Sequence, residues 1–237
     1  MKIYDELPQH LEDGTANPDW LSLRAGKFTG SDFHQYMGLA KKDELSDTAE
    51  SNLYKKVLES LGYSFESYRS SAMEDGNENE PLARADYIAE TFNDVHEVGF
   101  VDWEQMRAGC SPDGVIYDET VVIDDMTIKN GELVVVDPTY WKVKKIKKIL
   151  EIKCPEIKNY LKMAKGKIPP VYMVQMQYNM LITGAKSCDF VVWHPDMRLS
   201  VQEIKADANY QKDIMTVLEK LNARYDAILE EIQELRK

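Results

Sequence analysis

Apolar positions along the chain first recur at helical spacing and later alternate at strand spacing. Leu53, Val57, Leu58 and Leu61 share one face of a helix predicted over 46–61. A second helix is predicted over 72–92, where Pro81 marks a start or a kink at its first turn. Ahead of both, 17–39 reads as a helix start bearing Trp20, a loop over Gly26–Gly30, and a further helix. Thr29 or Ser31 caps that helix and leaves free N–H groups at its mouth. From Val95 the period changes to two. Strands are predicted over Val95–Val101, Met106–Cys110 and Val115–Tyr117, then over Thr120–Ile123, Thr127–Ile128 and Leu133–Val136 as an extra hairpin across Lys129–Glu132. Lys147–Lys153 is the next central strand. Helices over Asn159–Gly166 and Tyr172–Thr183 follow, then antiparallel strands over Asp189–His194 and Arg198–Ile204. A last helix spans 207–236, with Ile214, Val217, Leu218, Leu221, Tyr225, Ile228, Leu229 and Ile232 as its apolar stripe, the spacing expected of a helix that covers a sheet.

This order predicts an α/β (α+β) chain: helices, a mixed central β-sheet flanked by helices, an insertion over about 118–147, and the long C-terminal helix. No linker interrupts it, so residues 1–237 are expected to form one domain. At 43% hydrophobic and 30% charged, the composition is that of a globular protein able to bury a core. No apolar run reaches membrane-span length and the N-terminus lacks a signal-peptide core, so a cytoplasmic protein without a membrane partner is expected. Cys110, Cys154 and Cys188 fit neither a disulfide framework nor a metal knuckle, and read as reduced thiols.

The net charge of −12 excludes indiscriminate binding to nucleic acid, which needs lysine and arginine at phosphates. Its distribution is uneven. Ten lysines lie between Lys142 and Lys167 against Glu151 and Glu156 alone, whereas eleven acids lie between Glu66 and Glu104 against Arg69 and Arg84. Such a chain admits DNA only where geometry concentrates the lysines, for example along a channel; a solvated lysine face is the other reading.

Candidate chemistry sits in two segments, Ser111-Pro112-Asp113-Gly114 and Glu151-Ile152-Lys153. On a strand, Glu151 and Lys153 point to one side and Ile152 to the other. Two carboxylates with a lysine beside them suit a hard cation such as Mg²⁺, which takes oxygen ligands, keeps waters and completes its shell with phosphate. The pattern suggests metal-assisted phosphodiester cleavage. A turn aspartate and an exposed strand pair fit the same residues, and these two segments alone do not choose.

Five collinear blocks bear on that choice: Trp20-Leu-Ser-Leu-Arg24 with Phe28-Thr-Gly-Ser31-Asp32; Gly76-Asn-Glu-Asn-Glu80; Ala108-Gly-Cys-Ser-Pro-Asp113-Gly; Leu150-Glu151-Ile-Lys153-Cys-Pro155; and Tyr172-Met-Val-Gln175-Met-Gln177-Tyr. In these blocks the chain resembles the lambda-exonuclease/YqaJ-type viral recombinase nucleases of the PD-(D/E)xK superfamily, over roughly Trp20 to Pro195. The resemblance implies a restriction-endonuclease-like core, to which this chain's own strand pattern adds an inserted β-ribbon. Asp113, Glu151 and the Ile152 carbonyl match the metal ligands, Lys153 the catalytic lysine, Glu80 a helix glutamate near a second ion, and Gln175 the glutamine that positions the attacking water. Arg24 and Ser31 match the residues that bind a terminal 5′-phosphate; Ser111 is a further candidate for a backbone-phosphate contact, with a turn-forming role as the other reading.

Further implications are two Mg²⁺ ions per site (Mn²⁺ substituting), 5′→3′ exonuclease action on double-stranded DNA ends that leaves a 3′ overhang, a homotrimeric ring, and a single-strand annealing protein as partner in viral recombination, in the cytoplasm of a host cell. A ring would reconcile the −12 charge with cationic residues lining its hole. Two departures stand out. Asn159 replaces a phosphate-binding arginine, with Lys158 adjacent to supply a point charge instead of a fork. Glu151 also follows Asp113 by 38 positions, far more than a hairpin needs. The rival readings are a structure-specific or restriction-type endonuclease on the same fold, and a catalytically inactive DNA-binding recombination scaffold. His10, His34, His96 and His194 match no metal spacing, although His34 falls close to the expected phosphate residues.

Overall fold

The computed structural model describes residues 1–5, 7–11, 14–65, 71–123, 126–129, 132–135 and 140–236; of 71–77 and 119–144 it describes the backbone. In chain order the elements are β1 (Lys2–Tyr4), α1 (Pro18–Arg24), β2 (Phe28–Thr29), a 3-10 helix (Phe33–Ala40), α2 (Asp47–Ser60), α3 (Ser71–Thr91), β3 (Phe100–Trp103), a short 3-10 turn (Glu104–Met106), β4 (Ala108–Cys110) and β5 (Gly114–Ile123). Then come β6 (Met126–Lys129), β7 (Glu132–Val135), β8 (Tyr140–Lys153), α4 (Ile157–Met163), α5 (Pro170–Thr183), β9 (Ser187–Val192), β10 (Ser200–Lys205) and α6 (Ala208–Leu235).

The main sheet runs β10-β9-β8-β5. Its β8–β9 pair is parallel and the flanking pairs are antiparallel, which makes it mixed as expected. Glu151 lies opposite Phe190 and Lys153 opposite Val192, so the catalytic candidates ride the end of β8 that β9 still holds, just beyond its last β5 pair at Leu150. A second sheet, β1-β3-β4-β2, brings the N-terminus beside Phe100–Trp103. The contact there is close: a Cβ on Gly99 would lie 1.7 Å from the Leu7 carbonyl oxygen, so only glycine lets the N-terminal segment lie across this edge.

The insertion is an extension of the central strands. β5 and β8 pair continuously from Gly114–Leu150 to Ile123–Tyr140, with a bulge between Ile116 and Tyr117, and β6 pairs with β7 beyond them. Expected as separate short strands, 115–117 and 120–123 are one strand, and 147–153 begins at Tyr140. Asn130, Gly131 and Val136 of the expected hairpin lie outside the described residues.

Three other expectations are corrected. The segment after Thr29 is a 3-10 helix, with Asp32 at its N-cap position and no side-chain cap bond, so neither Thr29 nor Ser31 caps it. Thr29 is committed to β2 beside β4. Pro81 lies well inside α3 and does not mark its start. Its missing N–H costs one helical hydrogen bond; immediately beyond it, Ala83, Arg84 and Tyr87 are buried. The expected strand over Val95–Val101 begins only at Phe100, opposite Tyr4, where its partner β1 ends; His96 makes only an isolated bridge to Val115.

Two cores hold these layers. The larger joins α5, the 3-10 helix, α2 and α6 to one face of the sheet; the smaller packs Ala83 and Tyr87 of α3 on Leu150, Ile152, Val191 and Trp193. α5 already covers the sheet on the first side, so α6 packs chiefly on the 3-10 helix, α2 and α5 and not on the strands. Ser46 caps α2 and Asp207 caps α6 through their side chains. Cys110 and Cys188 are buried and Cys154 half-buried, all as free thiols. Among the described residues no helix is long and apolar enough to cross a membrane.

Candidate active site

The turn Ser111–Asp113 separates two cavities. On one side, a cavity of about 470 Å³ is lined by Glu80, Arg84, Glu97 and Asp113, with Asp5, Gln9 and His10 of the N-terminal segment along its rim. On the other, one of about 140 Å³ is lined by Trp20, Arg24, Thr29, Gly30, Ser31, Ser111, Gln175, Asn179 and, again, Gln9.

Strand geometry places the acidic residues. Leu150 and Ile152 belong to the core under α3, which turns Glu151 and Lys153 to the α5 side. Glu151 is fully buried, and its Oε1 lies 2.5 Å from Lys153 Nζ. The Lys153 ammonium also sits 5.1 Å from the centre of the Tyr172 ring. Asp113 arrives from the neighbouring turn. Its N–H donates to the Leu150 carbonyl at 3.2 Å, and its Oδ2 accepts the Ile152 N–H at 2.6 Å. The N–H and C=O of one strand residue face the same neighbour, so the Ile152 carbonyl faces the Asp113 side. The last β5 partner there is Gly114, opposite Leu150, so no strand residue stands across from Ile152.

Arg84 braces this arrangement. It reaches Glu80 at 2.5 Å and Glu97 at 2.9 Å, and its Nε donates to the Asp113 carbonyl at 2.8 Å. Burial is the first cause that raises all three carboxyl pKa values. Glu151 is pushed up to about 7, with Asp113 repelling it and Lys153 opposing the shift. Glu80 is pushed up to about 8, with Asp113 adding to burial and Arg84 opposing. Asp113 is raised by burial against the pull of Lys153 and the Ile152 N–H. Lys153 is raised despite its own burial, because Glu151 and Asp113 hold its proton. A site that raises three carboxyl groups together gains from an added cation. Among the described residues no three His, Cys, Asp or Glu side chains converge as a preformed metal cluster. Asp113, Glu151 and one strand carbonyl could together offer oxygen donors that suit an ion which retains waters and takes phosphate oxygens.

The smaller cavity carries the opposite charge. Arg24, at the end of α1, lies 4.3 Å from the centre of the Trp20 ring and donates to Ser111 Oγ at 3.3 Å. Ser111 in turn donates to the Gly99 carbonyl at 2.7 Å, which also accepts from the Trp20 indole at 2.9 Å. Burial lowers the Arg24 pKa below its ordinary value. Among the described residues, no carboxylate lines this cavity. The Ser31 hydroxyl stands at its mouth, exposed, 3.4 Å from Thr29 Oγ1.

Of the candidates read from the sequence, Asp113, Glu151 and Lys153 come together, with Glu80 across the larger cavity. Arg24, Ser31, Ser111 and Gln175 line the smaller one. Lys158 lies apart, exposed on the first turn of α4. Lys148 is removed from the expected free lysines, since it pairs with Asp189 and Glu203 at 2.9 Å each. The side chains of Lys142 and Lys144 lie outside the described residues. Gln177, two after Gln175, is structural: it donates to the Lys205 carbonyl and accepts from Asp207 N–H, both at 2.9 Å. Sequence reasoning missed Arg84, Asn179 and Gln9. The first two stand four residues after Glu80 and Gln175, the spacing that puts side chains on one helix face; nothing in the sequence singles out Gln9.

Comparison with solved structures finds this fold in exonucleases. An alkaline exonuclease, LHK-Exo from Laribacter hongkongensis, is similar at 25% identity with a TM-score of 0.70, covering 93% of this chain and 98% of its own. The same protein in complex with dAMP matches equally. A phage-related exonuclease from Haemophilus somnus shares the fold at 17% identity and a TM-score of 0.60, over 87% of this chain and 96% of its own. A comparison with curated protein sequences gives no match. The profile of the YqaJ-like viral recombinase domain matches residues 19–186, more than half of the chain, and with the shared fold it establishes that this protein belongs to that family.

Proposed function

We propose that this protein is a Mg²⁺-dependent 5′→3′ exonuclease that digests one strand of linear duplex DNA and leaves a 3′ single-stranded tail. The observation that carries the reading is the separation of charge across the Ser111–Asp113 turn. Glu80, Glu97 and Asp113 line the cavity on one side, and Arg24 without a lining carboxylate lies on the other, with the buried Glu151–Lys153 pair beside Asp113 and Asn179. Family membership and the exonuclease neighbours support it.

Asp113, Glu151 and the Ile152 carbonyl would hold the metal, with Glu80 serving a second ion directly or through water. An ion held there would supply a lowered pKa to a bound water and polarisation of the scissile phosphate. Lys153, protonated beside Glu151, stabilises the charge gathering on the phosphoryl oxygens. Gln175 orients the attacking water. As the water oxygen bonds to phosphorus, the P–O3′ bond breaks; the departing nucleotide keeps its 5′-phosphate, and the remaining strand begins with a new one. Arg24, Ser31 and Ser111 would bind that new terminal phosphate, so each turnover regenerates the group the smaller cavity accepts. The phosphate contact of Lys158 would lie further along the duplex. A homotrimeric ring acting in a host cytoplasm with a single-strand annealing partner is the setting in which such a tail would be used.

The test is digestion of linear duplex and covalently closed circular DNA by the purified protein with Mg²⁺. Loss of nucleotides from 5′-phosphorylated linear ends, with circles intact, is expected. Nicked circles with intact linear ends would replace this reading with the endonuclease one.

A further inference from the structure

We propose that Asn179 is a positioning residue that couples occupancy of the terminal-phosphate cavity to the Glu151 carboxylate, through contact between its amide and Gly30. The inference rests on the reading of the two cavities given above.

Asn179 is 2% exposed, one helical turn beyond Gln175 on α5, and lines the smaller cavity. Its Nδ2 donates to Glu151 Oε2 at 3.5 Å, the long limit of a hydrogen bond, while Lys153 holds the other carboxylate oxygen. The carboxylate fixes which way the amide points, since a flip would oppose two acceptor oxygens. Oδ1 therefore faces away from Glu151. Among the described residues it has no hydrogen-bond partner, and it packs so tightly on Gly30 that a Cβ there would lie 2.2 Å from it. Such a buried, unpaired oxygen is unfavourable. A purely structural residue at this position would be expected to satisfy its polar atoms or to lack them.

Gly30 lies between Thr29 and Ser31, in the loop that gives the smaller cavity its hydroxyls. Packed interiors transmit small displacements instead of absorbing them. A phosphate drawn onto Ser31 and Arg24 shifts the loop, the loop bears on the Asn179 amide, and the amide tightens on Glu151. Long catalytic hydrogen bonds commonly close in the substrate complex. The terminal phosphate thus raises the rate at saturation as well as the affinity.

The test uses the full-length protein with duplexes of one sequence bearing a 5′-phosphate or a 5′-hydroxyl. Uncleavable methylphosphonate terminal linkages serve for calorimetric Mn²⁺ binding, and ordinary linkages for kinetics. Wild type is expected to bind Mn²⁺ more tightly with the phosphorylated duplex. Asn179→Ala and Gly30→Ala should erase that difference and lower kcat on phosphorylated ends by about 10- to 100-fold, the usual cost of losing a group that orients a metal ligand, with KM nearly unchanged. If the alanine variant does not fold, the near-isosteric Asn179→Asp keeps the volume, removes the donor, and should give the same loss. Folded variants that keep the wild-type difference in Mn²⁺ binding would overturn the coupling and leave the exonuclease reading standing. A wild type indifferent to the 5′-phosphate would overturn both the phosphate cavity and the coupling.

Discussion

Across the turn that carries Ser111 and Asp113, the larger cavity sets Asp5, Glu80, Glu97 and Asp113 against Arg84, while the smaller presents Arg24 and no carboxylate. The larger is organised by ion pairs and needs positive charge. The smaller is organised by a stacked guanidinium, hydroxyls and amides, and needs negative charge. A phosphodiester chain with a terminal phosphate satisfies both, if its end enters the smaller cavity and an interior linkage reaches the metal residues. Among the described residues only Gln9 lines both cavities, and Asn179 bonds from the smaller cavity to Glu151. On this reading polarity need not be written in the catalytic residues themselves. It can be set by which group is accepted next door.

The largest effect should come from the lysine beside Glu151. Lys153→Ala should lower kcat on linear duplex by about 10²–10³-fold while sparing DNA binding, the cost of removing one group aimed at developing charge. Equal activity would remove the mechanism, whereas no activity in either protein would favour the scaffold reading.

Arg84 is the next point of attack, because it pairs with Glu80 and Glu97 and donates to the Asp113 carbonyl in the larger cavity. Arg84→Met should cost about 3 kcal/mol by stranding buried charge, or about 6–12 °C in Tm, read by thermal melting without metal. A much smaller loss would mean that the cavity carboxylates are not held by this residue.

On the cationic side, Arg24→Ala should reduce the preference for 5′-phosphorylated over 5′-hydroxyl ends by about 10- to 100-fold, the worth of a charge-assisted hydrogen bond. An unchanged preference would place the phosphate elsewhere.

A smaller effect concerns pH. Glu151 and Glu80 have raised pKa values of about 7 and 8, so each contributes stability that is present below its ordinary pKa and lost as pH rises through the folded value. The metal-free protein should therefore lose Tm from about pH 5 to pH 8. Added Mg²⁺ should restore more at pH 8 than at pH 6, because it binds the ionised carboxylates. A Tm flat across this range would show that burial does not raise these groups. Least of all, Lys158→Ala should leave kcat nearly unchanged and reduce the log–log salt slope of DNA binding by about 1.

Much of this division was legible in the sequence, for identifiable reasons. Glu151-Ile152-Lys153 could be read because strand alternation fixes which side each residue faces. α2 and α6 could be read because Ser46 and Asp207 cap regular apolar stripes. The 3-10 helix after Thr29 could not, since Thr29 and Asp32 are drawn into bonds with each other and with Lys56, and not into a cap. The continuous β5–β8 ribbon was hidden because a bulge at Ile116–Tyr117 breaks the alternation that announces a strand. Arg84 and Asn179 were present at readable helical spacing. What each touches depends on elements far away in sequence: Glu97 and Asp113 for one, Gly30 and Glu151 for the other. The N-terminal rim, with Gln9, rests on the approach of Leu7 to Gly99, a contact no local pattern announces.

The most direct measurement is a time course on linear duplex carrying a label at either the 5′ or the 3′ end of one strand, with Mg²⁺ and then with the metal chelated. The account predicts immediate release of the 5′ label as a mononucleotide, late loss of the 3′ label, and no release without metal. Early loss of the 3′ label, or release that survives chelation, would contradict it.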